Sequence, residues 1–371
     1  MCWWNTAGMK VVVTGASGNI GTAFLRAAAR RKDWQVVGLA RRVPAGQPYD
    51  AVEWVACDLD GQGTDPTTDP VEALTSAFTG ADAVVHLAWA IQPGTGDPPK
   101  ERTNTEGSAR VLAAVAETGV PHLVCASSVA AYAPGPRWTR VDEDWPRTGV
   151  PGSAYSRGKA RLERLLRSFR EQHPDVGVAV FRPCAVTQHD SGAQLERWTV
   201  SPVLPPGVIG SRWLPVPLWN GLRAQVVHSD DVAEAIWLIL ERRATGAFNL
   251  ASEPVLDARE LAEVIGGFRV PVPRRLVSAV ALPTWRLGLQ PMHPGWLELA
   301  DQAPLVDTTR ARAQLGWVPR HDAKEALAEV IAGLREGAGV GDGPLAPRVA
   351  QRWSARLSGV TLGRPSRQTQ A

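Results

Sequence analysis

From residue 9 onward, short apolar runs alternate with stretches in which apolar residues recur every three or four positions. The runs at 10–13, 35–39, 52–56, 83–87, 122–125 and 176–181 are short and rich in Val, so they predict strands buried on both faces. Between them, 21–31, 71–78, 103–118 and 156–171 carry the helical period. This alternation predicts an α/β chain, a doubly wound parallel sheet of six strands with helices on both faces. Beyond residue 182 the pattern loosens into a Pro-rich stretch with Trp198, Trp213 and Trp219. A helix at 230–242, a short strand at 248–250 and further helices follow, which predicts a smaller C-terminal lobe.

Composition supports a folded chain. Of 371 residues 44% are hydrophobic and 21% charged, close to the globular average, so a sizeable core can form. No apolar run approaches the roughly 18 residues that would span a bilayer, and the start lacks the regions of a signal peptide, so a cytoplasmic protein is expected. Cys2, Cys57, Cys125 and Cys184 are scattered, which predicts reduced thiols and no metal site. The net charge is +3, but residues 337–371 hold five Arg against one acid, Asp342. The body is therefore near neutral, and no nucleic-acid face is indicated. Within that tail Val349, Trp353 and Leu357 recur every four residues opposite Arg348, Arg352 and Arg356. This pattern reads as a flexible, loosely docked segment in preference to a membrane contact.

The first strand runs into Thr14-Gly15-Ala16-Ser17-Gly18-Asn19-Ile20-Gly21 and then a helix. Gly15 permits a tight turn, Gly18 lets the backbone approach a pyrophosphate, and Gly21 lets the helix pack close to the strand. Strand, loop, helix and second strand in that order mark a Rossmann dinucleotide site. An acid at the tip of the second strand would select a free ribose 2′-hydroxyl, but Ala40-Arg41-Arg42 stands there. Two guanidinium groups favour a 2′-phosphate, hence NADP, with NAD as the other candidate. Asp58, after the third strand, is a candidate acceptor for the adenine amino group or a turn residue.

Tyr155 and Lys159 open a long helical pattern four residues apart, which places phenol and ammonium on one face. Proton transfer near neutrality asks the surroundings to lower a Tyr pKa of about 10 by ~3 units, which Lys159 and a positive nicotinamide ring would supply. Ser127 and Ser128 end the fifth strand at the edge where open parallel sheets bind ligands.

These elements together resemble the extended short-chain dehydrogenases, the NAD-dependent epimerase and dehydratase family. The resemblance covers about residues 9 to 335. It rests on the glycine loop, His86-Leu87-Ala88-Trp89, Asn104 to Ser108, Ser127 to Tyr132, Tyr155 to Lys159, Arg182-Pro183, His228 to Ala233 and Leu315 to Pro319. It implies that Ser128 is the active-site serine, that Tyr155 and Lys159 also touch the cofactor, and that Asn104 lines the active site. It further implies that Leu87 and Ala88 approach the cofactor through backbone, as Asp58 and Leu59 would beside the adenine, and that Pro183 lies beside the nicotinamide. Pairing into a homodimer is implied as well. The chain then divides into an N-terminal extension at 1–8, a dinucleotide domain at 9–185 completed by parts of 224–251, a substrate lobe at 186–336 and the tail at 337–371.

Two features depart from the family's nucleotide-sugar enzymes. A Tyr-Gly-Pro run is absent after Pro183, and Ala224 stands where they commonly carry an Arg that grips a diphosphate, with Arg223 adjacent. The leading expectation is therefore hydride transfer between an NADP nicotinamide and a carbonyl or alcohol carbon of a small molecule, with Tyr155 moving the proton. A nucleotide-sugar epimerase or dehydratase, and a non-catalytic dinucleotide sensor, are the alternatives.

Overall fold

The computed structural model describes residues 8–31, 33–61, 69–91, 102–201 and 208–348. Seven parallel strands form the central sheet: β1 (Lys10–Thr14), β2 (Gln35–Ala40), β3 (Glu53–Ala56), β4 (Ala83–His86), β5 (His122–Ala126), β6 (Gly177–Pro183) and β7 (Gly246–Leu250). Their spatial order is β7-β6-β5-β4-β1-β2-β3. The order reverses beside β1, and the crevice there opens at the carboxyl ends of β1 and β4, where such sheets bind ligands. The strand at 248–250, in the 224–251 part expected to complete the dinucleotide domain, pairs with β6 as the seventh, with Phe248 opposite Phe181. Its neighbours in space are distant in sequence, so no local signal reveals the pairing.

Helices α1 (Asn19–Ala28), α2 (Pro70–Phe78), α3 (Gly107–Thr118), α4 (Ala154–Gln172) and α6 (Ser229–Glu241) follow the strands or cover the sheet, while α5 (Gly192–Thr199) packs on the second lobe. On one face Phe24 of α1 stacks on Trp237 of α6 at 4.4 Å, and both side chains are fully buried. The helix expected from 103 begins as a π-helical turn at Arg102–Glu106. Such turns cluster at functional sites because they reorient single side chains.

The second lobe holds α7 (Ala258–Ile265), α8 (Arg274–Arg286), α9 (Gly295–Gln302), α10 (Thr309–Leu315) and α11 (Ala323–Glu336), with four two-stranded sheets. Trp219 and Leu222 form a small core with Ala258, whereas Trp213 is exposed. The segment 337–348, expected as the start of a loosely docked tail, is docked: Leu345 is fully buried, and Arg348 pairs with the buried Glu196 of α5. Val349, Trp353 and Leu357 lie outside the described residues, as does Cys2.

Candidate active site

Gly15 sits at φ +70°, and a Cβ there would lie 2.6 Å from the Ala88 nitrogen. The loop thus touches the backbone after β4, and only glycine fits. A Cβ on Gly21 would strike the Ala16 carbonyl at 2.4 Å, while one on Gly18 would meet only the Gly15 carbonyl, at 3.2 Å. Gly18 is the N-cap of α1 and provides no side-chain cap, so the first amide N–H groups of the helix are free of a competing side chain. A pyrophosphate fits this cradle. Ser17 is buried and Ile20 partly so. Asn19 is committed elsewhere through its side chain: Nδ2 donates to the Val186 carbonyl, and its oxygens accept from Gln188. It therefore ties the loop to the substrate lobe and has only its backbone left for an anion.

At the tip of β2, Arg41 and Arg42 are exposed, with no hydrogen-bond or ion-pair partner among the described residues. Asp58 accepts from the Asp60 N–H at 3.4 Å, a turn role that leaves it partly exposed. The Leu59 carbonyl accepts from Arg110.

His86 orders the ends of β1 and β4. Ser108 Oγ donates to the Asn104 carbonyl at 2.6 Å, so it accepts from His86 Nε2 at 3.0 Å. The other ring nitrogen then accepts from Thr14 Oγ1 at 2.7 Å, and Thr14 Oγ1 accepts from the Ala88 N–H. Burial pushes the His86 pKa down to about 3, with Lys159 acting in the same direction, so the ring is neutral and this tautomer persists. Asn104 does not reach out from its π-helical turn. Its amide clamps Ala90 through both backbone groups, at 2.7 and 3.0 Å, and holds the 87–90 segment against the loop.

Ser153 caps α4 by accepting from the Ser156 N–H, which places Tyr155 in the first turn and Lys159 one turn on. The Tyr155 hydroxyl shares a hydrogen bond with Ser128. Ser128 Oγ also accepts from the Ala130 N–H at 3.1 Å and lies 3.5 Å from the Pro183 carbonyl at the end of β6. Ser128, Tyr155, Lys159 and Pro183 thus gather at the carboxyl edge of the sheet. Lys159 is buried, and its Nζ donates to the Ala126 carbonyl at 3.0 Å and lies 3.8 Å from the centre of the Trp89 ring. Burial pushes its pKa down to about 8, with Cys125 and Glu163 pulling back.

Burial pushes the Tyr155 phenol up, with the Ser128 hydrogen bond opposing, while the Lys159 ammonium faces Ala126 and Trp89.

Two aromatic neighbours were missed by the sequence reading. Trp296 of α9 stacks on Tyr155 at 4.9 Å, and Trp89 meets the same ring edge-on at 6.5 Å. Nothing local distinguishes Trp296 among 15 tryptophans. Arg223, the substitute candidate for a diphosphate grip, is buried and caps α9 by donating to the Asp301 and Ala303 carbonyls. Arg197 donates to the Pro344 and Ala346 carbonyls.

The model of the NAD dependent epimerase/dehydratase family matches residues 11–251. An uncharacterised protein of Mycobacterium tuberculosis is 30% identical over 340 residues, covering 90% of this chain. The chain spans only 31% of that relative's length. The 3-diazoavenalumate denitrifying reductase of a Streptomyces species is 30% identical over 328 residues, 84% of this chain and 97% of that enzyme. Among solved structures, UDP-glucose 4-epimerase from Thermus thermophilus in complex with NAD superposes with a TM-score of 0.62 at 23% identity, covering 88% of this chain and 99% of that one.

Proposed function

Because this chain belongs to the NAD-dependent epimerase/dehydratase family, the extended short-chain dehydrogenases, we propose that it is an NADPH-dependent reductase of an apolar, aromatic or conjugated small molecule. The observation that carries this reading is the stacking of Trp296 on Tyr155, which gives the proton donor an aromatic wall in place of a polar, sugar-binding one. The dinucleotide supplies the hydride. Tyr155, kept protonated by burial, gives its proton to the oxygen or nitrogen that gains charge, and Ser128 orients that atom. Lys159 holds the cofactor side and shares its charge with the Trp89 face. The 87–90 backbone, clamped by Asn104, closes against the glycine loop and excludes water. Arg41 and Arg42 are the groups that would grip a 2′-phosphate.

The reductase name of the Streptomyces relative agrees with this reading. Against the epimerase alternative stands the commitment of Arg223 to the end of α9, which leaves two buried phosphate charges without a fixed cation there. The intact Ser128, Tyr155 and Lys159 argue against a sensor without chemistry.

Calorimetric titration and turnover test the proposal together. NADPH is expected to bind roughly tenfold to a hundredfold more tightly than NADH, and Arg41→Ala with Arg42→Ala should remove the difference. Tyr155→Phe should abolish reduction of aromatic carbonyl compounds while cofactor affinity stays within a few-fold. Equal affinities would withdraw NADP. Micromolar binding of a UDP- or GDP-sugar, with turnover, would replace the reductase by the epimerase.

A further inference from the structure

The helix α8 lies in a stretch of the chain without acids. Residues 264–297 contain no Asp or Glu but four Arg, whereas the whole chain carries 37 acids in 371 residues. Within that stretch α8 and its C-cap residue present Leu276, Val280 and Leu287 to solvent, at 54, 48 and 52% exposure. Spacings of four and seven place these three on one helical face, with Ala279 and Pro283 between them, also exposed. The inner face is satisfied separately: Ala281 is buried, and Val277 packs on the core formed by Trp219 and Leu222. The exposed apolar face is therefore surplus to folding.

Its charged flank is equally distinct. Arg274 turns inward to Glu298 at 2.8 Å and lies over the Trp219 ring. Arg275 and Arg286 are exposed and have no partner among the described residues. On the helical wheel they fall on the same edge of the Leu276–Val280–Leu287 face. An apolar stripe bordered by free guanidinium groups, with no acid on the helix, matches an interface of acyl chains under anionic headgroups. At 13 residues α8 is too short to cross a bilayer, and no described helix is long and apolar enough to do so.

We propose that α8 is the docking surface for an anionic lipid bilayer, on which the helix lies in the plane with Leu276, Val280 and Leu287 inserted and with Arg275 and Arg286 at the headgroups. Residues 287–294 connect α8 to α9, whose Trp296 stacks on Tyr155. The proposal stands independently of the reductase reading, because its test reads no turnover.

The test is co-sedimentation of the full chain with vesicles of phosphatidylcholine alone, or of phosphatidylcholine mixed with phosphatidylglycerol. The protein is expected to pellet with the mixed vesicles, to stay in solution with the neutral ones, and to be released as salt is raised to about 0.5 M. Leu276→Gln with Val280→Gln should cut the binding constant roughly tenfold or more, and Arg275→Gln with Arg286→Gln by a similar factor. Both pairs should leave the thermal midpoint and the cofactor affinity nearly unchanged, since all four side chains are exposed. Failure of the wild type to pellet with anionic vesicles would overturn the proposal. So would undiminished pelleting of the Leu276/Val280 variant, which would move binding to another segment such as 349–371. A doubled mass in solution that this variant abolishes, without vesicle binding, would assign the face to a second copy of the chain and overturn it as well.

Discussion

At the scale of single residues, the site separates a donor from a charge. Tyr155 is pushed toward the neutral phenol and Lys159 toward the neutral amine by the same cause, removal from water. The sign of the Lys159 effect can be tested. Its folded value of about 8 lies below its ordinary 10.5, so between those values the unfolded chain holds a proton that the folded chain has released. The stability tied to this group therefore rises with pH across that window. Dinucleotide affinity is expected to move oppositely, because the ammonium proposed to meet the nicotinamide ribose is lost. Titrations between about pH 6.5 and 9.5 should show affinity falling above about pH 8, and Lys159→Met should bind weakly with little dependence on pH. An equally steep fall in Lys159→Met would remove Lys159 as its cause.

At the scale of elements, α4 carries the chemistry and its own anchor on one face. Tyr155, Lys159 and Glu163 are spaced four apart. Glu163 receives two hydrogen bonds from Arg182 of β6, at 2.7 and 2.9 Å. Burial alone would raise the Glu163 pKa, but Arg182 outweighs it and holds the carboxylate charged. Arg182 also donates to the Tyr132 hydroxyl and the Glu143 carbonyl, and Tyr132 donates to Asn249 of β7. One buried network thus sets the register of α4 against two strands, and Pro183 follows directly. Glu163→Gln leaves the guanidinium buried without its counter-charge and should cost about 3–5 kcal/mol. Turnover is expected to fall as well, because α4 shifts. Denaturant unfolding measures the first effect, and a loss below about 1 kcal/mol would show that the pair is not the anchor.

At the scale of the whole molecule, the two lobes and the start of the tail are joined at the glycine loop. Asn19 and Gln188 link α1 to the substrate lobe, and Arg26 pairs with Asp190 in the same place. The segment 337–348 closes over this junction. The Ala193 N–H donates to the Ala338 carbonyl, Asp342 accepts from the Ala45 N–H near Arg41 and Arg42, and Arg348 reaches both carboxylate oxygens of Glu196 at 3.1 Å. Arg348→Ala removes a charged partner of the buried Glu196 carboxylate and should cost about 2 kcal/mol, less than a fully enclosed pair because Arg348 is partly exposed. Glu196→Gln in the same chain should restore much of the loss. If Arg348→Ala unfolds at the wild-type midpoint, the segment contributes nothing to the fold.

The sheet and the glycine loop were legible because each depends on local order. A buried parallel strand needs an apolar run, and a phosphate turn needs glycines at three positions. Tyr155 and Lys159 were legible for the same reason, since four residues make one turn. The pairing of the seventh strand, the wall formed by Trp296, the turning inward of Arg223, the clamp of Asn104 on Ala90 and the docking of 337–348 were not. Each is a contact between residues far apart in the chain, chosen by which buried polar or aromatic group lacked a partner. The residues in one chain order therefore determined the fold class and the chemical groups available. Only the tertiary structure decided which groups face the substrate and which hold the protein together, because a side chain's environment, not its identity, sets its charge and its reach.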